Sequence, residues 1–315
     1  MPAISTSSSF DPTRSSGAGA WKRPESRWRD EVTADGSSGY PAEAGRYHLY
    51  VSLACPWAHR TIIVRRLKGL EQAIGMTIVD PIRDERGWAF TGAPGTDLDP
   101  VHGFELLSEV YELSEPGARH HVSVPVLFDR ETNRIVNNES SEIIRMLDRA
   151  WDAFTDVRLD LYPEPLRAEI DELEGEVYNH VNNGVYACGF AGSQQAYDHS
   201  VRALFETLDR LEMRLGGSRY LHGDRITEAD WRLFTTLVRF DPVYHTHFKC
   251  NLRLLADSPN LLGFARDLYQ VPGVAETVDL DQIKRHYYMT HPMLNPRRLV
   301  AVSNGPDLAA PHGRG

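Results

Sequence analysis

The chain has 315 residues, 41% of them hydrophobic, and carries 44 acidic against 34 basic side chains for a formal net charge of −10. That length supports two packed domains, and the acidic balance argues against nucleic acid as a partner. No apolar run approaches the roughly 18 residues of a membrane span, the Ser-rich N-terminus lacks the core of a signal peptide, and three cysteines suit a reducing compartment. The expected location is the cytoplasm, with no membrane partner.

Residues 1–45, rich in Ser, Gly and Pro, read as an extended arm, and Asp11, Glu25 and Asp30 argue against a transit peptide. Residues 47–53 then read as a mostly buried strand. It runs into Ala54-Cys55-Pro56-Trp57-Ala58-His59-Arg60. Pro56 suits the first position of a helix, which continues at helical spacing to Leu67, carries Arg65, Arg66 and Lys68 in its last turn and meets Gly69 as a stop. Cys55 therefore falls at a helix N-cap, where unpaired N–H groups and the positive end of the dipole favour a thiolate. The bland alternative is an inert buried cysteine. Position 58 is Ala, so no second cysteine can close an internal disulfide, and Cys188 and Cys250 are remote in sequence. A lone thiol that forms a mixed disulfide needs an outside thiol to release it, and glutathione is the abundant intracellular candidate.

Further along, residues 76–79 read as a second strand, about 80–105 as an irregular insertion, and 122–128 as an apolar run interrupted by Pro125. A hairpin around 129–133 leads to a strand at 134–136 and a helix from about 138–141 to 149. That order is thioredoxin-like, and in such a domain the proline before the third strand is commonly cis and faces the reactive cysteine; Val124-Pro125 takes that place. Beyond 160 the pattern changes to amphipathic helices over 166–182, 197–215, 230–243 and 260–268, with a capping box at Thr227-Glu228-Ala229-Asp230. The last dozen residues read as disordered.

Tyr47-His48-Leu49-Tyr50 with the cysteine segment, Val136-Asn137-Asn138-Glu139-Ser140-Ser141-Glu142, Asn182-Asn183-Gly184-Val185-Tyr186 and His286-Tyr287-Tyr288 closely resemble the glutathionyl-hydroquinone reductases, the xi class of the glutathione transferase superfamily. The match runs from about 46 to 300. The resemblance implies an α+β fold: a thioredoxin-like glutathione-binding domain over 46–155, then an all-α glutathione-transferase C-terminal domain over 160–300 and a tail over 301–315.

It also implies a chemistry. Cys55 attacks the sulfur of a glutathionyl-hydroquinone and becomes glutathionylated, and a second glutathione regenerates it as oxidised glutathione leaves. Glutathione is thus a cosubstrate, with no permanently bound cofactor, and a homodimer is expected. Val124, before Pro125, is expected to hydrogen-bond the tripeptide, Ser140 to accept its γ-glutamyl carboxylate and Glu139 its ammonium, with Trp88 packing over it. Helix capping is the competing role of Glu139 and Ser140. The family's arginine before the proline strand is displaced here, since the chain reads Arg119-His120-His121, leaving either Arg119 or His121 to meet glutathione. Tyr186, Tyr244, Tyr287 and Tyr288 are the candidates for the hydroquinone pocket, with Tyr186 and Tyr287 in the catalytic role; which of Tyr287 and Tyr288 points inward stays open.

His59 lies one turn from Cys55, to stabilise its thiolate or to face solvent. Neither His245-Thr246-His247 with Cys250 nor His120-His121 has a zinc spacing, so no metal is expected. Two other readings compete: an omega-like thiol transferase acting on dehydroascorbate or glutathionylated proteins, and a noncatalytic member that keeps the fold with an ordinary thiol.

Overall fold

The computed structural model describes residues 15–16, 19–118 and 121–314. The chain divides into two compact units, Pro24–Leu159 and Asp160–Gly315, the second taking in Pro12–Arg23, so the described part of the arm is split between them. Arg119 and His120 lie outside the described residues. No helix among the described residues is long and apolar enough to cross a membrane.

In the second unit's share of the arm, β1 (Ser15–Ser16) pairs with β2 (Ala20–Trp21). The first unit holds a four-stranded sheet in the order β4-β3-β5-β6. Strand β3 (Tyr47–Val51) is parallel to β4 (Gly75–Ile78) and antiparallel to β5 (Val126–Asp129), which pairs with β6 (Arg134–Asn137). All five residues of β3 are buried, as expected of a central strand covered on both faces. Helix α1 (Pro56–Leu67) begins at Cys55 with Pro56 in its first turn and ends at Lys68, with Gly69 at φ +67°. It packs against α3 (Ser140–Arg149). The buried Lys68 ammonium ties the two helix ends by donating to the Asp148 carbonyl at 2.5 Å and pairing with Asp152 at 2.7 Å. The Val124–Pro125 peptide is cis.

Helix α2 (Leu107–Ser114) closes the insertion and was not legible as an element in the sequence. The arm docks on the free edge of β6, where the Asp30 amide donates to the Val136 carbonyl at 3.0 Å and the Asn138 amide to the Trp28 carbonyl at 3.1 Å. An unpaired sheet edge is thereby covered.

The second unit is helical, and two expected helices are interrupted. In place of one helix over 166–182 there is α4 (Arg167–Val177), a π-turn at Tyr178–Asn182 and then α5 (Gly184–Gly189). The helix expected over 230–243 is α7 (Glu228–Leu237), followed by a π-turn at Phe240–Tyr244 that runs into the short turn α8 (His245–His247). Pro242 accounts for the second break, because it lacks the N–H that a continuing helix requires. Helix α6 (Gln194–Gly216) spans 23 residues, and α9 (Pro259–Tyr269) and α10 (Leu280–Thr290) complete the unit. Thr227 and Asp230 form the capping box of α7.

The tail corrects the expectation of disorder. The Gln270 side chain donates to the Leu308 and Ala310 carbonyls at 3.0 and 2.8 Å, Arg266 to Asp307 at 2.9 Å, and the Arg314 guanidinium to the Leu215 carbonyl at 2.8 Å. The tail is held through its backbone carbonyls and the Arg314 side chain, which polar composition does not reveal.

Candidate active site

Cys55 has extended backbone (φ −81°, ψ 123°) at the α1 N-cap, and the first turn of α1 contains no acidic residue that would oppose a thiolate. Its side chain is half-buried, and its Sγ donates to the Val124 carbonyl at 3.6 Å. The cysteine and the proline loop are therefore in contact across 69 residues of sequence. His59 is fully buried, which removes the solvent-facing reading.

The loop is held by a residue that sequence reasoning missed. Tyr111, buried on α2, donates its hydroxyl to the Ser123 carbonyl at 2.8 Å and accepts the Ser123 amide at 3.1 Å, and the Asn138 side chain donates to the same hydroxyl at 3.3 Å. One phenol thus links the segment entering Val124 to the residue before Glu139. Asn138 was visible within the Asn-Glu-Ser segment, but nothing in the sequence pairs it with Tyr111.

Glu139 is the N-cap of α3, and its Oε1 accepts the Ser141 amide at 3.1 Å and the Ser141 hydroxyl at 2.9 Å. Ser140 is 2% exposed and its Oγ has no hydrogen-bond partner, so a buried hydroxyl stands at a helix N-terminus with its capacity unused. Trp88 is buried in the insertion with the Arg83 guanidinium 5.4 Å from its ring. His121 lies near the start of the proline loop and is partly exposed, and the position of Arg119 is outside the description.

In the second unit three of the four candidate tyrosines converge. The Tyr287 hydroxyl lies 2.6 Å from that of Tyr186 and 2.9 Å from that of Tyr244. Burial pushes the Tyr244 and Tyr287 phenols well above their ordinary range, so both remain O–H donors at neutral pH. Trp21 stacks on Tyr186 at 5.6 Å and Phe248 on Tyr244 at 5.6 Å. Tyr288 is separate: its hydroxyl donates to the Pro242 carbonyl at 3.1 Å. Adjacent residues on α10 thus point to different partners, and Tyr287 is the one within the hydroxyl network. Gly189 allows α5 this approach, because a Cβ there would sit 2.3 Å from Phe248 Cδ1. His247 does not gather ligands with Cys250 but bonds His291 at 3.1 Å.

Models of the glutathione S-transferase N-terminal and C-terminal domains match residues 54–150 and 194–267. The chain is 50% identical to the glutathionyl-hydroquinone reductase YqjG of Escherichia coli K12, over 96% of this chain and 94% of that protein. It belongs to the glutathionyl-hydroquinone reductases. These form the xi class of the glutathione transferases, and the xi transferase of Phanerochaete chrysosporium superposes with a TM-score of 0.89 at 48% identity, covering 92% of this chain and 94% of the other. The glutathione-bound structure of YqjG superposes with a TM-score of 0.88 at 50% identity, covering 94% and 97%. The α+β fold, with a thioredoxin-like domain before a helical one, is that of the reductase family.

Proposed function

We propose that this reductase removes glutathione from glutathionyl-hydroquinones, with glutathione as the reductant and Cys55 as the nucleophile. The observation that carries this reading is the Cys55 thiol at the mouth of α1, 3.6 Å from the Val124 carbonyl of the cis-proline loop. The reading is supported by the close likeness to the glutathionyl-hydroquinone reductase YqjG.

In the first step the Cys55 thiolate attacks the glutathione sulfur of the substrate. An S–S bond forms, the carbon–sulfur bond breaks, and the ring carbon takes a proton to give free hydroquinone. In the second step the thiolate of a second glutathione attacks the mixed disulfide, releasing oxidised glutathione and the Cys55 thiolate. The two electrons that reduce the ring carbon come from the pair of glutathione sulfurs that end as a disulfide.

Each step has residues suited to it. The Val124 backbone offers an extended partner for the tripeptide, while Ser140 and Glu139 suit the carboxylate and ammonium of its γ-glutamyl end. Trp88 and either Arg119 or His121 complete the glutathione set. In the second unit Tyr186 and Tyr287 are hydroxyl donors for the ring oxygen as negative charge develops, and buried aromatic faces suit a planar ring. We place the enzyme in the cytoplasm as a homodimer, the latter by analogy with its superfamily, with no permanent cofactor.

The test is a chromatographic assay of glutathionyl-hydroquinone with excess glutathione, following hydroquinone and oxidised glutathione together. Equal amounts of both are expected from wild type and neither from Cys55→Ser. Near-full turnover by Cys55→Ser would remove the nucleophile. If wild type does not turn the substrate over but still exchanges glutathione with a simple disulfide at Cys55, the activity is that of an omega-like thiol transferase.

A further inference from the structure

We propose that the N-terminal arm is part of the glutathione site, with Ser26 as a positioning residue that holds Glu139 ready for the γ-glutamyl ammonium. This rests on the reading of Glu139 and Ser140 given above. The two oxygens of the Glu139 carboxylate have separate partners. Oε1 serves the cap by accepting from Ser141, whereas Oε2 accepts the Ser26 hydroxyl at 2.9 Å, across 113 residues of sequence. Ser26 Oγ also lies 3.3 Å from the Asn138 carbonyl, which anchors it to the residue before the cap.

Glutamate is not among the favoured N-cap residues, because its longer side chain has more rotamers to immobilise. A second restraint from the arm answers that cost. The arm is fixed in register to provide it: the Trp28 amide donates to Asn138 Oδ1 at 3.2 Å, the Asn138 amide donates to the Trp28 carbonyl at 3.1 Å, and Arg29 forks onto Glu142, with Nε 2.7 Å from Oε2. The Trp28 ring meets Tyr111 edge-on at 5.0 Å, the same Tyr111 that holds Ser123.

Each carboxylate oxygen can accept more than one hydrogen bond, so the bonds from Ser26 and Ser141 do not preclude one from an ammonium. Beside it the unused Ser140 hydroxyl is the complementary donor for a carboxylate. An ammonium acceptor next to a carboxylate donor is the recognition pattern of a free α-amino acid end, which glutathione carries on its γ-glutamyl residue and cysteinylglycine lacks there.

The experiment is calorimetric titration of the full-length protein with glutathione and with cysteinylglycine, comparing wild type, Ser26→Ala and Ser26→Thr, with thermal unfolding run alongside. Wild type is expected to prefer glutathione. Ser26→Ala should lose about tenfold of that affinity while binding cysteinylglycine as wild type does, and Ser26→Thr should recover most of the loss. Steady-state rates should follow as a raised KM for glutathione with kcat at saturation unchanged. Unaltered glutathione affinity in Ser26→Ala, or equal losses for the two thiols, overturns the role of the arm. Equal affinity of wild type for the two thiols overturns the underlying assignment of Glu139 and Ser140, and the proposal with it.

Discussion

Tyr111 and Ser123 exchange two hydrogen bonds, the phenol donating to the Ser123 carbonyl at 2.8 Å and accepting the Ser123 amide at 3.1 Å. Ser123 precedes Val124, whose carbonyl accepts the Cys55 thiol, so one buried phenol stands behind the wall that Cys55 faces. Tyr111→Phe removes both bonds and strands the Ser123 amide. A loss of about 1–3 kcal/mol in unfolding free energy is expected by urea denaturation, with a fall in kcat/KM. Unchanged midpoint and turnover would mean that the phenol only fills space.

The tyrosine network distinguishes its members. Tyr287 sits between Tyr186 and Tyr244, its hydroxyl 2.6 Å from the first and 2.9 Å from the second. Tyr287→Phe is therefore expected to slow hydroquinone release at saturating substrate by about 10²-fold, and Tyr244→Phe by about tenfold through loss of orientation. Tyr288→Phe should leave kcat near wild type, since its hydroxyl bonds the Pro242 carbonyl. Equal effects of the three substitutions in single-turnover measurements would contradict this ranking.

Gly189→Ala would place a Cβ against the Phe248 ring, which stacks on Tyr244. Overpacking of this kind costs about 1–3 kcal/mol, so a lowered melting temperature together with reduced turnover is expected. A fully stable, fully active variant would show that the ring can move aside freely.

Acid should destabilise the protein before its carboxylates are exhausted. Burial holds the His48 and His247 imidazoles down to about 4 from an ordinary value of 6.5. The unfolded chain therefore binds protons at these sites between about pH 6.5 and 4 that the folded chain refuses, and their contribution, complete above pH 6.5, is lost as the pH falls through that window. Asp230 acts in the opposite sense: burial pushes it up to about 6 from 3.8, so its contribution is present at low pH and lost as the pH rises through 6. With two histidines against one aspartate, near pH 5 the balance for these three groups is about one proton in favour of the unfolded state, or ~1.4 kcal/mol lost per pH unit of acidification. Denaturation at pH 7, 6 and 5 checks this. A His247→Gln variant should show a shallower decline, and an identical slope would remove His247 from the account.

Sequence by itself determined the elements whose signals are local. The Cys55 N-cap follows from Pro56 and the strand before it, the end of α1 from Gly69, the hairpin from turn residues between apolar runs, and the α7 start from the Thr227–Asp230 box. The same local signals, together with the tyrosine and Asn-Glu-Ser segments, pointed to the family. What only tertiary structure decided depends on partners far apart in the chain. Tyr287 and Tyr288 are chemically equivalent neighbours until packing aims one at Tyr186 and the other at Pro242. The arm and tail carry almost no apolar periodicity, because they are held by backbone carbonyls and single polar side chains such as Ser26, whose acceptor lies 113 residues away. A hydrophobic pattern records which face of an element is buried. It does not record which distant group a hydroxyl will meet.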